Sequence, residues 1–134
     1  METKTAKPSE NQESSPFQVC GRIWVEGPGG TFLGYGRAVL LSRIREYGSL
    51  SAAARSMKIS YRHAWELLDS MNRQSATPLV ISSRGGKGGG GARLTPAGET
   101  AVTAFFRLYQ EMKTFLAGKN GRLADLVGEA EGWE

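Results

Sequence analysis

A chain of 134 residues is the size of one domain, and its 40 % hydrophobic content suffices for an ordinary core. No run approaches the roughly 20 apolar residues of a membrane helix, and the first sixteen residues lack the apolar block of a secretory signal. The single cysteine, Cys20, excludes an internal disulfide and a cysteine-built zinc site and fits a reducing compartment, so the expected location is cytoplasmic.

Charge is unevenly spread around a net +4. Residues 1–16 are polar and read as a disordered leader, and residues 118–134 form an acidic tail. The domain expected between them, 17–117, keeps thirteen Lys/Arg against six Asp/Glu, and ten of the thirteen are arginine. A basic body rich in planar guanidinium groups favours a polyanionic partner, nucleic acid above all.

Residues 17–26 alternate, with Phe17, Val19, Ile23 and Val25 on one side, which predicts a half-buried strand. Gly27-Pro28-Gly29-Gly30 is a turn, and Thr31-Phe32-Leu33 completes an N-terminal β-hairpin. From Arg37 to Tyr47 the apolar residues fall at helical spacing, with Gly48 just past the end. Ser49 or Ser51 caps a short helix through Ala52-Ala53-Ala54 to about Met57. After a break at Lys58-Ile59, Ser60 caps a helix to about Arg73 with Ala64, Leu67, Leu68 and Met71 inward. Two such helices joined by a short turn are a helix-turn-helix.

Leu79 to Ser83 is a strand and Ala92-Arg93-Leu94 its return, so the glycine run 85–91 between them is the tip of a wing. That run fails the phosphate-loop pattern, because Gly88 rather than Ser or Thr follows Lys87; a plain flexible linker is the other reading. Thr95 and Pro96 open a last helix to about Ala117. Ala101, Phe105, Leu108, Met112 and Phe115 recur there at intervals of four and three, the spacing of a coiled-coil seam, and are the expected dimerisation residues. The expected fold is thus mainly α with small β: a winged helix-turn-helix with an N-terminal hairpin and a long C-terminal dimerisation helix.

The order of these blocks resembles a known family. Gly48 to Ala54 (GSLSAAA), Ile59 to Trp65 (ISYRHAW), Met71-Asn72, the glycine run after Gly85, and Leu94-Thr95-Pro96-Ala97-Gly98 together resemble the N-terminal winged helix-turn-helix domain of the ModE (molybdate-dependent transcriptional regulator) family. The first block is also similar to LysR-type regulators. The resemblance covers about Gly21 to Leu116 and implies a dimeric prokaryotic DNA-binding protein. Full-length family members add C-terminal oxyanion-binding domains, for which this chain is too short, so neither molybdate nor tungstate is expected to bind it directly.

The expected DNA-contacting residues follow from position. A recognition helix meets bases with its N-terminal turn, which places Tyr61 and Arg62 at base edges and Trp65 one turn on. Ser60 and the free N–H groups at that helix start suit a phosphate, and Arg84, Lys87 and Arg93 at the wing suit phosphates or the minor groove. His63 stands alone and reads as structural, so no metal, cofactor or catalytic residue is expected. The partners expected are double-stranded DNA and a second copy of the chain, with no membrane. The function expected is that of a homodimeric transcriptional regulator. Two other classes fit the same residues: an accessory DNA-binding or heterodimerising protein without its own operator, and an oxyanion-responsive binder.

Overall fold

A computed structural model describes residues 17–83 and 90–123. They fall into two compact units: residues 23–109, and a smaller one in which residues 17–22 join those from Gln110 onwards.

In the larger unit β1 (Val25–Gly27) pairs antiparallel with β2 (Gly30–Leu33), with a register irregularity between Val25 and Glu26. Four helices follow: α1 (Tyr35–Tyr47), α2 (Leu50–Met57), α3 (Tyr61–Gln74) and, after the wing, α4 (Pro96–Gly118), whose last residues belong to the smaller unit. The wing is β3 (Val80–Ser83) antiparallel to β4 (Gly91–Leu94), in a register that sets Val80 opposite Leu94. This is the winged helix-turn-helix expected from sequence, with the long last helix in place.

The core is assembled from the inward stripes. Leu40, Leu41 and Ile44 of α1 and Met71 of α3 are sealed from solvent, with Ala53, Ala54 and Ala64 at the helix contacts. Small residues there let α2 and α3 approach α1 closely, which is why the alanine run precedes the turn. Local chemistry sets the helix ends. Gly48 closes α1 at φ 78°, a left-handed conformation that favours glycine. Ser49 accepts from the Ala52 N–H and Ser60 from the His63 N–H, both at 3.0 Å, capping α2 and α3. Lys58, at φ 60°, ends α2 in the left-handed region and turns the chain into α3.

Two expectations are corrected. The strand over 17–26 shrinks to Val25–Gly27, and Phe17 is exposed. Its partner β2 is four residues long and ends at Leu33, which pairs with Val25, so the ladder reaches no further back along residues 17–24. The α4 seam is not one partner-facing stripe either. Phe105, 2 % exposed, belongs with Val102 to the core of its own unit, against Phe106 and Tyr109, while Ala101 and Met112 are half-buried. Leu108 and Phe115 alone of the five stand exposed.

In the smaller unit the Val19 N–H donates to Asn120 Oδ1 at 2.8 Å and Leu116 lies against Gly21. The Lys119 ammonium sits 5.0 Å from the centre of the Phe115 ring. The leader, residues 1–16, and all but the start of the acidic tail lie outside the described residues.

Candidate nucleic-acid interface

The site is the outward face of α3 and the wing beside it. Burial of Ala64 and Met71, with Leu67 and Leu68 half-buried, fixes the rotation of α3 and leaves Tyr61, Arg62, Trp65 and Glu66 outside. Tyr61 is 57 % and Trp65 49 % exposed, a high value for an indole that usually finds cover. The Arg62 Nε donates to Glu66 Oε2 at 3.3 Å, and further along Arg73 Nε donates to Asp69 Oδ2 at 2.8 Å. Tyr61 and Trp65 also line a cleft of about 530 Å³ shared with Leu50 and Ser51 of α2 and with Ile81, Ser82 and Ala92 of the wing. The start of α3 and the wing therefore line one open cleft.

The expected site residues divide into three groups. Ser60, Tyr61, Arg62 and Trp65 come together at the start of α3, all exposed. Ser60 accepts from the His63 N–H as the cap, and the N–H groups ahead of it in the first turn of α3 have no intrahelical partner. Arg93 is exposed on β4, opposite Ile81. Arg84 and Lys87 lie outside the described residues.

Three positioning side chains escaped the sequence reasoning. Asn72 Oδ1 accepts from the Leu79 N–H at 2.8 Å and the Val80 N–H at 3.4 Å, and its Nδ2 donates to the Val80 carbonyl at 3.2 Å. One amide thereby clamps the end of α3 to the root of the wing. Gln74 Nε2 donates to the Thr31 carbonyl and to Ser70 Oγ, while its Oε1 accepts from the Gly29 N–H. Arg37 Nη1 donates to the Thr31 carbonyl at 2.7 Å and to Ser70 Oγ at 3.0 Å, and desolvation by burial lowers its pKa. Together they fasten the hairpin to α3. Only Asn72 left a trace in the sequence, as part of the Met71-Asn72 block.

Behind the wing, Thr95 caps α4: its hydroxyl donates to the Pro78 carbonyl at 2.7 Å and accepts from the Gly98 N–H at 3.0 Å. A Cβ on Gly98 would overlap the Leu79 carbonyl, so α4 meets the residue that leads into β3 at a distance only glycine permits. The Ala92 N–H donates to the Gly48 carbonyl at 2.9 Å, tying β4 to the α1–α2 turn.

The helix pair, wing and outward face of α3 define a winged helix-turn-helix domain. The model of the bacterial regulatory helix-turn-helix proteins of the LysR family matches residues 37–99, which run from α1 into α4. Among characterised proteins the chain is 45 % identical over 86 residues to the molybdenum-pterin-binding protein MopB of Rhodobacter capsulatus, covering 64 % of this chain and 32 % of MopB. It is 36 % identical over 99 residues to the molybdenum transport protein ModE of Azotobacter vinelandii, covering 74 % and 37 %. With the DNA-binding transcriptional dual regulator ModE of Escherichia coli K12 the identity is 41 % over 80 residues, 59 % and 30 % of the two chains. Over its helix-turn-helix part the chain is similar to ModE proteins, as its motifs predict. It spans about a third of the length of these relatives.

Among the described residues no helix is long and apolar enough to cross a membrane, and no three His, Cys, Asp or Glu side chains gather as a metal site.

Proposed function

We propose that the protein is a sequence-specific DNA-binding transcriptional regulator that acts as a homodimer. The observation that carries this reading is the face Tyr61, Arg62 and Trp65, exposed on the second helix of a helix-turn-helix whose opposite face is locked into the core. In this reading α3 enters the major groove N-terminus first. Arg62 donates to guanine O6 and N7, and Tyr61 and Trp65 pack on sugar or a thymine methyl. Ser60 and the first N–H groups of α3 hold a phosphate, and Arg84, Lys87 and Arg93 of the wing reach the flanking backbone. The relative from Escherichia coli, named a DNA-binding transcriptional regulator, supports the assignment.

Dimerisation is proposed through α4, where Leu108 and Phe115 are exposed apolar residues seven positions apart and so on one stripe. Two recognition helices then reach successive major grooves about 34 Å apart. Selection of sites from random duplexes tests the whole reading. A two-fold consensus with half-sites one helical turn apart, or a multiple of it, is expected. Salt-sensitive binding without any consensus refutes it.

A further inference from the structure

An acid on the face that meets a polyanion calls for an explanation. Glu66 is one turn from Arg62 on the outward face of α3, and its carboxylate would repel phosphate wherever it neared the backbone. Its neighbour Asp69 is occupied by Arg73 at 2.8 Å and is the less exposed of the two acids. Glu66 is different. Its side chain is 55 % exposed and Arg62's 86 %, and the one bond between them runs from Nε to Oε2 at 3.3 Å. Tyr61, Arg62, Trp65 and Glu66 together line a shallow depression of about 410 Å³, so the acid, the arginine and two aromatic residues share one recess.

The chemistry of this bond is selective about what it leaves available. A carboxylate on Nε orients the guanidinium and leaves both terminal nitrogens, the pair whose fork matches guanine O6 and N7. Glu66 keeps Oε1, an acceptor without a proton to give. In the major groove an acceptor of that kind pairs with the cytosine N4 amino group and is repelled by the acceptors of guanine and by thymine O4. Residues one helical turn apart lie about 5.4 Å apart along the axis, the reach of one or two base-pair steps of about 3.4 Å.

We infer that Glu66 is a specificity-determining residue that reads cytosine beside the guanine read by Arg62, so that the two side chains act as one unit selecting a C/G step in each half-site. This rests on the proposal that α3 is the recognition helix, and it adds a partner base that proposal does not contain. The two act jointly: Glu66 Oε2 steadies Arg62 while Oε1 accepts from N4–H. The carboxylate also penalises every register in which it meets a phosphate or a bare acceptor, and so disfavours other sequences.

Site selection is run in parallel on the wild-type protein, Glu66→Ala and Glu66→Gln, with circular dichroism to confirm folding of these surface variants. The wild-type consensus should contain a C/G step in each half-site. Glu66→Ala should lose the cytosine preference, about tenfold at that position, and bind random duplex more tightly because the repelling charge is gone. Glu66→Gln should move the preference at the same position towards adenine, whose N6 and N7 an amide contacts in bidentate fashion. A clear wild-type consensus that neither variant alters overturns the inference and leaves the proposed function standing. A wild-type protein with no consensus overturns both.

Discussion

At the scale of single residues, the side chains that set the geometry of the interface differ from those that would touch DNA. Asn72 binds three backbone groups of Leu79 and Val80 and so decides where the wing stands relative to α3. Asn72→Ala would leave the Leu79 N–H without its partner, at a cost of about 1–3 kcal/mol, seen as a lower midpoint in urea with an unchanged slope. Gly98 acts by what it lacks. Gly98→Ala forces α4 away from the Leu79 carbonyl, and overpacking of this kind costs about 1–3 kcal/mol, again measured by urea unfolding. Arg62 sits at the other extreme, tied only by a weak surface ion pair worth about 0.3–0.5 kcal/mol, so it is available to a stronger partner. Arg62→Ala should leave stability nearly unchanged while relaxing base preference at one position of each half-site by about 1–3 kcal/mol, read from the binding of single-substitution duplexes.

Among the elements, α4 shows how far a periodic pattern can be trusted. The spacing of Ala101, Phe105, Leu108, Met112 and Phe115 reveals a helix with an apolar stripe but not which body covers each residue. Phe105 is claimed by the core of its own unit with Val102, its ring against those of Phe106 and Tyr109. Phe105→Ala should therefore unfold the monomer more easily, by about 3–5 kcal/mol, rather than dissociate a dimer. Leu108→Asp and Phe115→Asp should do the reverse. Their circular dichroism should stay helical while sedimentation shifts to the monomer, and operator affinity should fall towards the nonspecific level. Dimers that survive both changes would place the partner surface elsewhere. The wing is the complementary case: its two strands were legible as short runs flanking glycines, because a strand and its return are a local pattern, while their register, Val80 opposite Leu94, came from the structure. Arg84 and Lys87 fall outside the described residues, and their role stays with the proposal.

For the molecule as a whole, the basic balance of residues 17–117 and the helix-turn-helix set the expectation of a salt-dependent interaction. Binding to specific duplex should weaken linearly in log salt, with a slope of about 0.9 per phosphate contact. Lys87→Ala should reduce that slope by about one unit per subunit and weaken all sequences nearly equally, unlike Arg62→Ala. Titrations at several salt concentrations separate the two, and identical behaviour would refute the division between backbone contact and base contact.

The sequence by itself determined the order of elements, the Ser60 cap, the helix stop at Gly48 and the outward face of α3, and narrowed the α2 cap to Ser49 or Ser51, of which the structure uses Ser49. Each of these depends on residues within about one turn of one another, where capping and periodicity operate. It overstated the strand at 17–26 because alternation says a segment can pair, whereas the partner's length decides whether it does. The tertiary structure alone decided that Phe105 turns inward, that Asn72 clamps the wing, and that Arg37 with Gln74 fastens the hairpin to α3. Those outcomes join residues from six to more than forty positions apart, and such contacts arise only when the packed core brings separate backbone groups within hydrogen-bonding reach.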